Sequence, residues 1–234
     1  MRAENSDSDL QVLYEDNHII AVNKKVGDLV QGDQSGDPSL VDTVKLYIKE
    51  KYDKRGNVYL GVVHRLDRPT SGVVLFARTS KALQRLNGLF RESRVRKLYW
   101  AVVKECPPKP ADTLIHYLKR NRDRNKSYAH DTPVSGGKEA RLSYRWVYSL
   151  DRYHLLEIDL HTGRHHQIRA QLASIGCHVK GDLKYGFPHS NPDGGIHLHA
   201  REVTFEHPVR KTPVRVVADP PADPFWDAVR GQLA

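Results

Sequence analysis

His64-Arg65-Leu66-Asp67-Arg68-Pro69-Thr70-Ser71-Gly72 runs directly into Val73-Val74-Leu75-Phe76-Ala77. The apolar run of five, bounded by turn formers, predicts a buried strand, and Val62-Val63 predicts the strand that leads in. Asp67 therefore falls on a loop between two hydrophobic strands, where a rigid scaffold carries site residues. Arginines flank it on both sides, and nearby guanidinium groups favour a carboxylate. An ionised aspartate suits a nucleophile or an electrostatic stabiliser and makes a poor general acid. Arg65 and Asp67 are two apart and share one face of an extended backbone. The same residue types also build ordinary polar turns with surface ion pairs, so the rest of the chain decides between a site and a turn.

Working outward, Val12 to Val22 predicts paired short strands around the turn Glu15-Asp16-Asn17. Leu40 to Tyr52 fits an amphipathic helix with Ser39 as its cap and Val41, Val44 and Ile48 on one face. Thr79-Ser80 caps a second helix carrying Leu83, Leu86 and Phe90 at helical spacing. Arg94 to Val103 is a strand with a cationic lead-in. Tyr117 to Lys138, dense in Lys and Arg, is expected to be a long exposed loop. Leu155 to Leu160 predicts a strand paired with Trp146 to Ser149. Gln167 to Ile175 predicts a helix with Ile168, Leu172 and Ile175 on one face and Gly176 beyond its end. Short strands around Ile196-His197-Leu198 and Val214 to Val217 follow, then a terminal helix at Phe225 to Val229. Strands and helices mix without strict alternation, so the expected fold class is α+β with a mixed, largely antiparallel central sheet. Residues 1–10 are expected to be disordered and 11–234 to form a single domain.

The 234 residues suffice to bury a core without disulfides or metal. Lys and Arg number 37 against 28 Asp and Glu, a net charge of +9, which points to a polyanionic partner, nucleic acid first. No apolar run reaches the length of a membrane span, and Met1 to Asp7 lacks a hydrophobic signal region. Cys106 and Cys177 match no zinc spacing and fit free thiols in a reducing cytoplasm.

A second constellation, His161-Thr162-Gly163-Arg164-His165-His166-Gln167-Ile168-Arg169, joins a strand to a helix. Arg164 falls near the helix N-terminus, where a cation opposes the helix dipole by ~0.3–1 kcal/mol. An anionic partner elsewhere would account for it, and Asp67 is the obvious candidate; a solvated loop arginine is the alternative. His161, His165, His166 and His178 have no Cys or carboxylate at ligand spacing, so no metal is expected. His197 and His199 alternate along an expected strand and are structural or RNA-facing. Gly163 alone makes no phosphate loop, so no nucleotide cofactor is expected.

These segments resemble RluA-type RNA pseudouridine synthases. His64 to Arg68 with Thr70-Ser71-Gly72 is similar to that family's catalytic motif, and Lys97-Leu98-Tyr99-Trp100-Ala101 to its Lys-x-Tyr-x-Ala strand. Thr162 to Arg169, with Gly176 and Lys180-Gly181-Asp182, resembles its arginine motif. Leu198-His199-Ala200 and His207-Pro208 resemble its C-terminal landmark. The pieces occur in family order from Val12 to Val217. Lys25, His165 and Cys177 depart from the family's usual Pro, Thr and Pro. The core begins almost at residue 1, so RNA contacts are expected from the core itself rather than from an N-terminal S4 domain.

The resemblance implies isomerisation of uridine to pseudouridine in structured ribosomal or transfer RNA, by a cytoplasmic monomer with no cofactor. It implies Asp67 as the essential carboxylate, attacking ribose or base or assisting a glycal intermediate. Tyr99 and Arg164 complete the implied catalytic trio, with Arg164 holding Asp67 and Tyr99 packing on the base. Arg65 would fill the space a flipped base vacates. His64, Arg68, Arg94, Arg96, Lys97, Arg169, Lys119 and Arg120 are the remaining candidates for RNA contact, together with Arg122, Arg124 and Lys126. The rival readings are an inactive RNA-binding module on the same scaffold and a glycosidic hydrolase. The latter needs a second carboxylate near Asp67.

Overall fold

The apolar run after the Asp67 turn is the strand on which the molecule is built. In this computed structural model, which describes residues 10–32 and 36–233, β4 (Ser71–Ala77) is buried along its whole length, as a strand covered on both faces must be. It pairs antiparallel with β2 (Ile19–Lys24), and β2 with β1 (Gln11–Glu15). On its other side it pairs in parallel with β10 (Leu198–Glu206), setting Ser71 opposite His199 and Gly72 opposite Ala200. Gly72 has φ +116°, and a Cβ there would overlap the Ala200 backbone. Only glycine lets the two strands close directly behind the Asp67 turn.

From β10 the sheet continues antiparallel through β5 (Arg96–Val103), β9 (Tyr153–Leu160), β8 (Lys138–Leu150), β6 (Ala111–Asn121) and β7 (Lys126–His130). β3 (Gly61–Val62) adds to β4 and β11 (Pro213–Val217) to β10, giving one 11-stranded sheet. The mixed, largely antiparallel sheet is the one expected. The basic stretch after Tyr117 is not a loop. It is the β6–β7 hairpin, in which Lys119 and Arg120 face Tyr128 and Ser127. Leu118 and Ser127 are its buried positions there, so the period-2 pattern is nearly all polar and masks the strands.

Helices cover both faces. α1 (Leu40–Lys51) starts in a capping box between Ser39 and Asp42 and buries Leu40, Val44 and Ile48 on Val22, Val74 and Phe76. Val41 is only half-buried. Leu10 packs beside this cluster; residues 1–9 of the expected disordered start lie outside the described residues. α2 (Ser80–Arg91) is capped by Thr79 and packs Ala82, Leu86 and Leu89 on the opposite face, against Val73 and Leu75. α3 (Gln167–Ser174) lays Ile168 and Leu172 on Tyr99, Leu156 and Ile158. Leu66 touches both the α1 and the α3 clusters and so seats the Asp67 turn at their junction. α4 (Pro224–Leu233) closes the chain, with Trp226 stacked on buried His197 and close to buried His199. Both histidines are therefore structural rather than RNA-facing. No helix among the described residues is long and apolar enough to cross a membrane.

Candidate active site

The turn that carries Asp67 is held from three sides. The Thr70 amide donates to the Asp67 carbonyl at 3.0 Å. Below it, the Lys24 ammonium, 1% exposed at the end of β2, donates to the carbonyls of Lys25, Arg68 and Thr70 at 2.9, 3.0 and 2.7 Å. Burial lowers the Lys24 ammonium to about 8. The Ile196 amide binds the Pro69 carbonyl at 3.0 Å. Backbone polar groups that a turn leaves open are thus satisfied before any ligand arrives.

The residues flanking Asp67 do not supply its cation. Arg68 turns away, giving Nε to the Gly27 carbonyl at 3.0 Å and Nη2 to Asp37 at 2.9 Å. Arg65 is exposed and has no hydrogen bond or ion pair to any described residue. His64 faces inward: its Nε2 accepts the Leu75 amide at 3.0 Å and its ring stacks on Phe90. Burial lowers His64 to about 4, so the ring is a neutral peg for the loop rather than an RNA contact. This corrects the RNA-contact role expected of His64, whereas Arg68 remains at the surface, 53% exposed.

The cation is Arg169, on the first turn of α3. Its Nη1 donates to Asp67 Oδ2 at 3.0 Å, while Nε and Nη2 grip Asp182 at 2.6 and 2.8 Å. The Arg169 side chain is 5% exposed and that of Asp182 1%, whereas Asp67 keeps 28%. The fork is bidentate on the buried acid and leaves Asp67 open on one side. Gly181, with φ +86°, lies where a Cβ would overlap the Asn191 side chain, which brings Asp182 close beneath the arginine. Burial works against the charge on Arg169, but the hydrogen bonds and charges of Asp182 and Asp67 outweigh it and push the pKa up; the Tyr185 ring lies 5.1 Å from the guanidinium.

Arg164 does not hold Asp67. It is exposed, and its Nε donates to the Glu139 carbonyl at 2.9 Å. Its amide donates to Gln167 Oε1 at 3.0 Å, and Thr162 Oγ1 donates to the same oxygen at 2.7 Å. The loop is fastened to the N-terminus of α3, so Arg164 stays outside while Arg169 turns in. This corrects two expectations at once: Arg164 is no partner of Asp67, and Arg169 is not free to bind RNA.

Tyr99 sits in the α3 cluster, 8% exposed. Burial and the Asp67 charge together raise its phenol, which therefore remains protonated. Lys97, two residues back on β5, is half-buried and lowered to about 8 by burial. Arg94 and Arg96 are exposed and already paired, Arg94 with Glu92 and Glu206, Arg96 with Asp159 at 3.0 Å. They line a cavity of about 560 Å³ that none of Asp67, Tyr99 or Arg169 borders.

The β6–β7 hairpin reaches the site through its tip. Ser127 gives its amide to the Tyr185 hydroxyl at 2.9 Å and meets His165 Nδ1 at 2.9 Å. Asn125 receives Arg120 at 3.2 Å, Lys184 at 3.2 Å and His165 Nε2 at 3.1 Å. Lys126 lies over the Tyr185 ring at 4.8 Å. Arg120, Lys126 and Lys184 thus gather around Asn125 and Tyr185, and Lys119 stands exposed further along β6. The histidines expected not to bind metal take separate partners: His161 meets Ser143, His178 faces Glu105, and His165 and His166 stack on each other. Sequence reasoning missed the parts played by Lys24, Asp182, His166 and Tyr185. A buried-strand lysine just before a turn was the one available signal for Lys24.

The arrangement offers a partly open carboxylate, a locked guanidinium, a protonated phenol and a group of cations beside Tyr185. Residues 18–174 match the family model described as RNA pseudouridylate synthase. Ribosomal large subunit pseudouridine synthase D of Xylella fastidiosa is 35% identical over 93% of this chain and 68% of its own length. tRNA pseudouridine synthase C of Haemophilus influenzae is 29% identical over 96% of this chain and 98% of its own length. The solved structure of human RNA pseudouridylate synthase domain containing 4 superposes with a TM-score of 0.76 at 23% identity, covering 95% of this chain and 92% of that one.

Proposed function

This chain belongs to the RNA pseudouridylate synthase family and is an RNA pseudouridine synthase, and within that chemistry we propose that Asp67 is the carboxylate on which isomerisation turns. The observation that carries the proposal is the Arg169 fork, which clamps Asp182 out of sight and leaves Asp67 oriented and partly open. Conversion of uridine to pseudouridine breaks an N–C glycosidic bond and makes a C–C bond with no change in mass. A positioned carboxylate can serve it by covalent attack or by stabilising a developing cation.

Tyr99 would pack against the extruded base with its protonated phenol, returning about 1–3 kcal/mol of the few spent on unstacking. Arg65, exposed beside Asp67, would enter the stack in place of the base. Arg120, Lys126, Lys184 and the hairpin cations would hold phosphates. The substrate class we infer is structured ribosomal or transfer RNA, and residues 11–234 act as one catalytic domain. Cys106 and Cys177 are free thiols, which suits the cytoplasm. The neighbouring acid at Asp182 is buried and committed to Arg169, which supports isomerisation over a two-carboxylate hydrolysis.

Asp67→Asn tests the reading. Pseudouridine formation, followed by tritium release or carbodiimide mapping, is expected to vanish while RNA affinity stays within a few-fold. Retained turnover refutes Asp67 as the essential acid, and release of free base would show a hydrolase.

A further inference from the structure

We propose that His166 is a positioning residue for Asp67: a neutral imidazole that presents its Nε2–H to the carboxylate, its tautomer held by the Tyr185 hydroxyl and, through Ser127, by the docked β6–β7 hairpin. The proposal rests on the reading of Asp67 as the reacting carboxylate.

His166 sits at the N-cap of α3, yet its side chain caps nothing. Its backbone is left-handed, φ 52° and ψ 29°, a region that non-glycine residues seldom enter. The residues that do cap helices here, Ser39 and Thr79, have extended backbones instead. Here the side chain is turned inward, 6% exposed, with Nε2 3.5 Å from Asp67 Oδ2 and Nδ1 3.1 Å from the Tyr185 hydroxyl.

The charge that faces Nε2 selects the tautomer. The Tyr185 oxygen accepts the Ser127 amide at 2.9 Å, and its one proton has two acceptors, the Ser127 carbonyl and His166 Nδ1, each at 3.1 Å. With the imidazole proton on Nδ1, a bare Nε2 would face the Asp67 carboxylate and two lone pairs would oppose each other. With the proton on Nε2, the N–H lies on the side of Asp67 Oδ2, 3.5 Å away, and Nδ1 takes the Tyr185 proton in place of the Ser127 carbonyl. One nitrogen's hydrogen bond sets the role of the other.

The surroundings keep the ring uncharged. His165 stacks on it at 3.8 Å between centroids, and Arg169, Lys184 and Arg120 add positive charge nearby. Together with burial, the leading cause, they push His166 down to about 2. His165 is pinned by Ser127 and Asn125 of the hairpin, so the hairpin backs the ring face as well as its Nδ1 partner.

Long-range proton–nitrogen correlation of the ring nitrogens in the ¹⁵N-labelled full chain is the direct test. The expected result is a neutral His166 with its proton on Nε2 at pH 7 and still neutral at pH 5. A proton on Nδ1, or an imidazolium, overturns the proposal. In kinetics, His166→Leu is expected to lower kcat on RNA roughly ten- to hundredfold, the effect of one hydrogen bond to a charged group, with KM within about twofold of wild type. His166→Gln, which keeps an N–H within reach of Asp67, is expected to recover at least part of that loss. Equal losses in the two variants overturn the proposal. An active Asp67→Asn enzyme would remove the kinetic half together with the Asp67 reading, whereas the wrong tautomer removes the His166 assignment alone.

Discussion

Arg169→Lys is the sharpest single test of how the site is held. The wild-type guanidinium makes three charge-assisted hydrogen bonds, at 2.6 and 2.8 Å to Asp182 and 3.0 Å to Asp67. A lysine keeps the charge, but a compact ammonium cannot span both acids in a fixed fork. Asp182, 1% exposed, is then left with unsatisfied oxygens. Breaking a buried pair costs about 3–5 kcal/mol, and the retained charge argues for the lower end, about 3. For a chain of this size each kcal/mol moves Tm by about 2–4 °C, so a fall of about 6–12 °C is expected. Asp67 loses its orienting bond as well, and single-turnover pseudouridine formation should slow roughly ten- to hundredfold. Arg164→Lys is the control. Its side chain is exposed with one bond to the Glu139 carbonyl, so stability should change by no more than about 0.5 kcal/mol and turnover should stay near wild type. A thermal melt and a tritium-release assay on both variants decide the matter. Arg164→Lys proving the more damaging, or Arg169→Lys matching wild type in both assays, would refute the reasoning.

Two further outcomes follow from the hairpin and the buried histidines. Lys119, Arg122 and Arg124 are exposed and have no side-chain partner among the described residues. Replacing all three by Ala should weaken RNA binding and flatten the plot of log affinity against log salt by about 2–3, roughly 0.7–0.9 per phosphate contact; an unchanged slope would take the hairpin out of the RNA interface. His64 and His199 are each lowered by burial from 6.5 to about 4, so the folded chain keeps them neutral while the unfolded chain protonates them. Stability is therefore complete above about pH 6.5 and is lost as pH falls towards 4, by up to about 1.4 kcal/mol per pH unit for each ring. A urea midpoint that is the same at pH 7 and pH 5 would contradict this.

Local pattern carried most of the element assignments because burial leaves a period in the sequence. The run Val73 to Ala77 is apolar on both faces since α1 and α2 cover both sides of β4. Ser39 and Thr79 each accept the amide three residues on, so the helix starts are written in the capping residues. The hairpin escaped because Lys119, Arg120, Lys126 and Tyr128 fill its exposed or half-exposed positions. Its strands are stabilised by pairing to one another and to β8, contacts that no short window of sequence contains.

By itself the sequence determined that a carboxylate between two strands would be presented on a turn, because turn formers, the apolar run and Gly72 are local facts. It also determined that α3 would begin near Gln167. Which arginine meets that carboxylate was decided by the tertiary structure. Arg164 and Arg169 are five residues apart in one motif, and charge alone favours neither. The choice came from the Gln167 bonds that fasten the preceding loop outside, and from Asp182, which arrives from beyond the helix to grip the inward guanidinium. An ion pair across 102 residues is fixed by where helices and strands pack, and packing is a property of the whole chain.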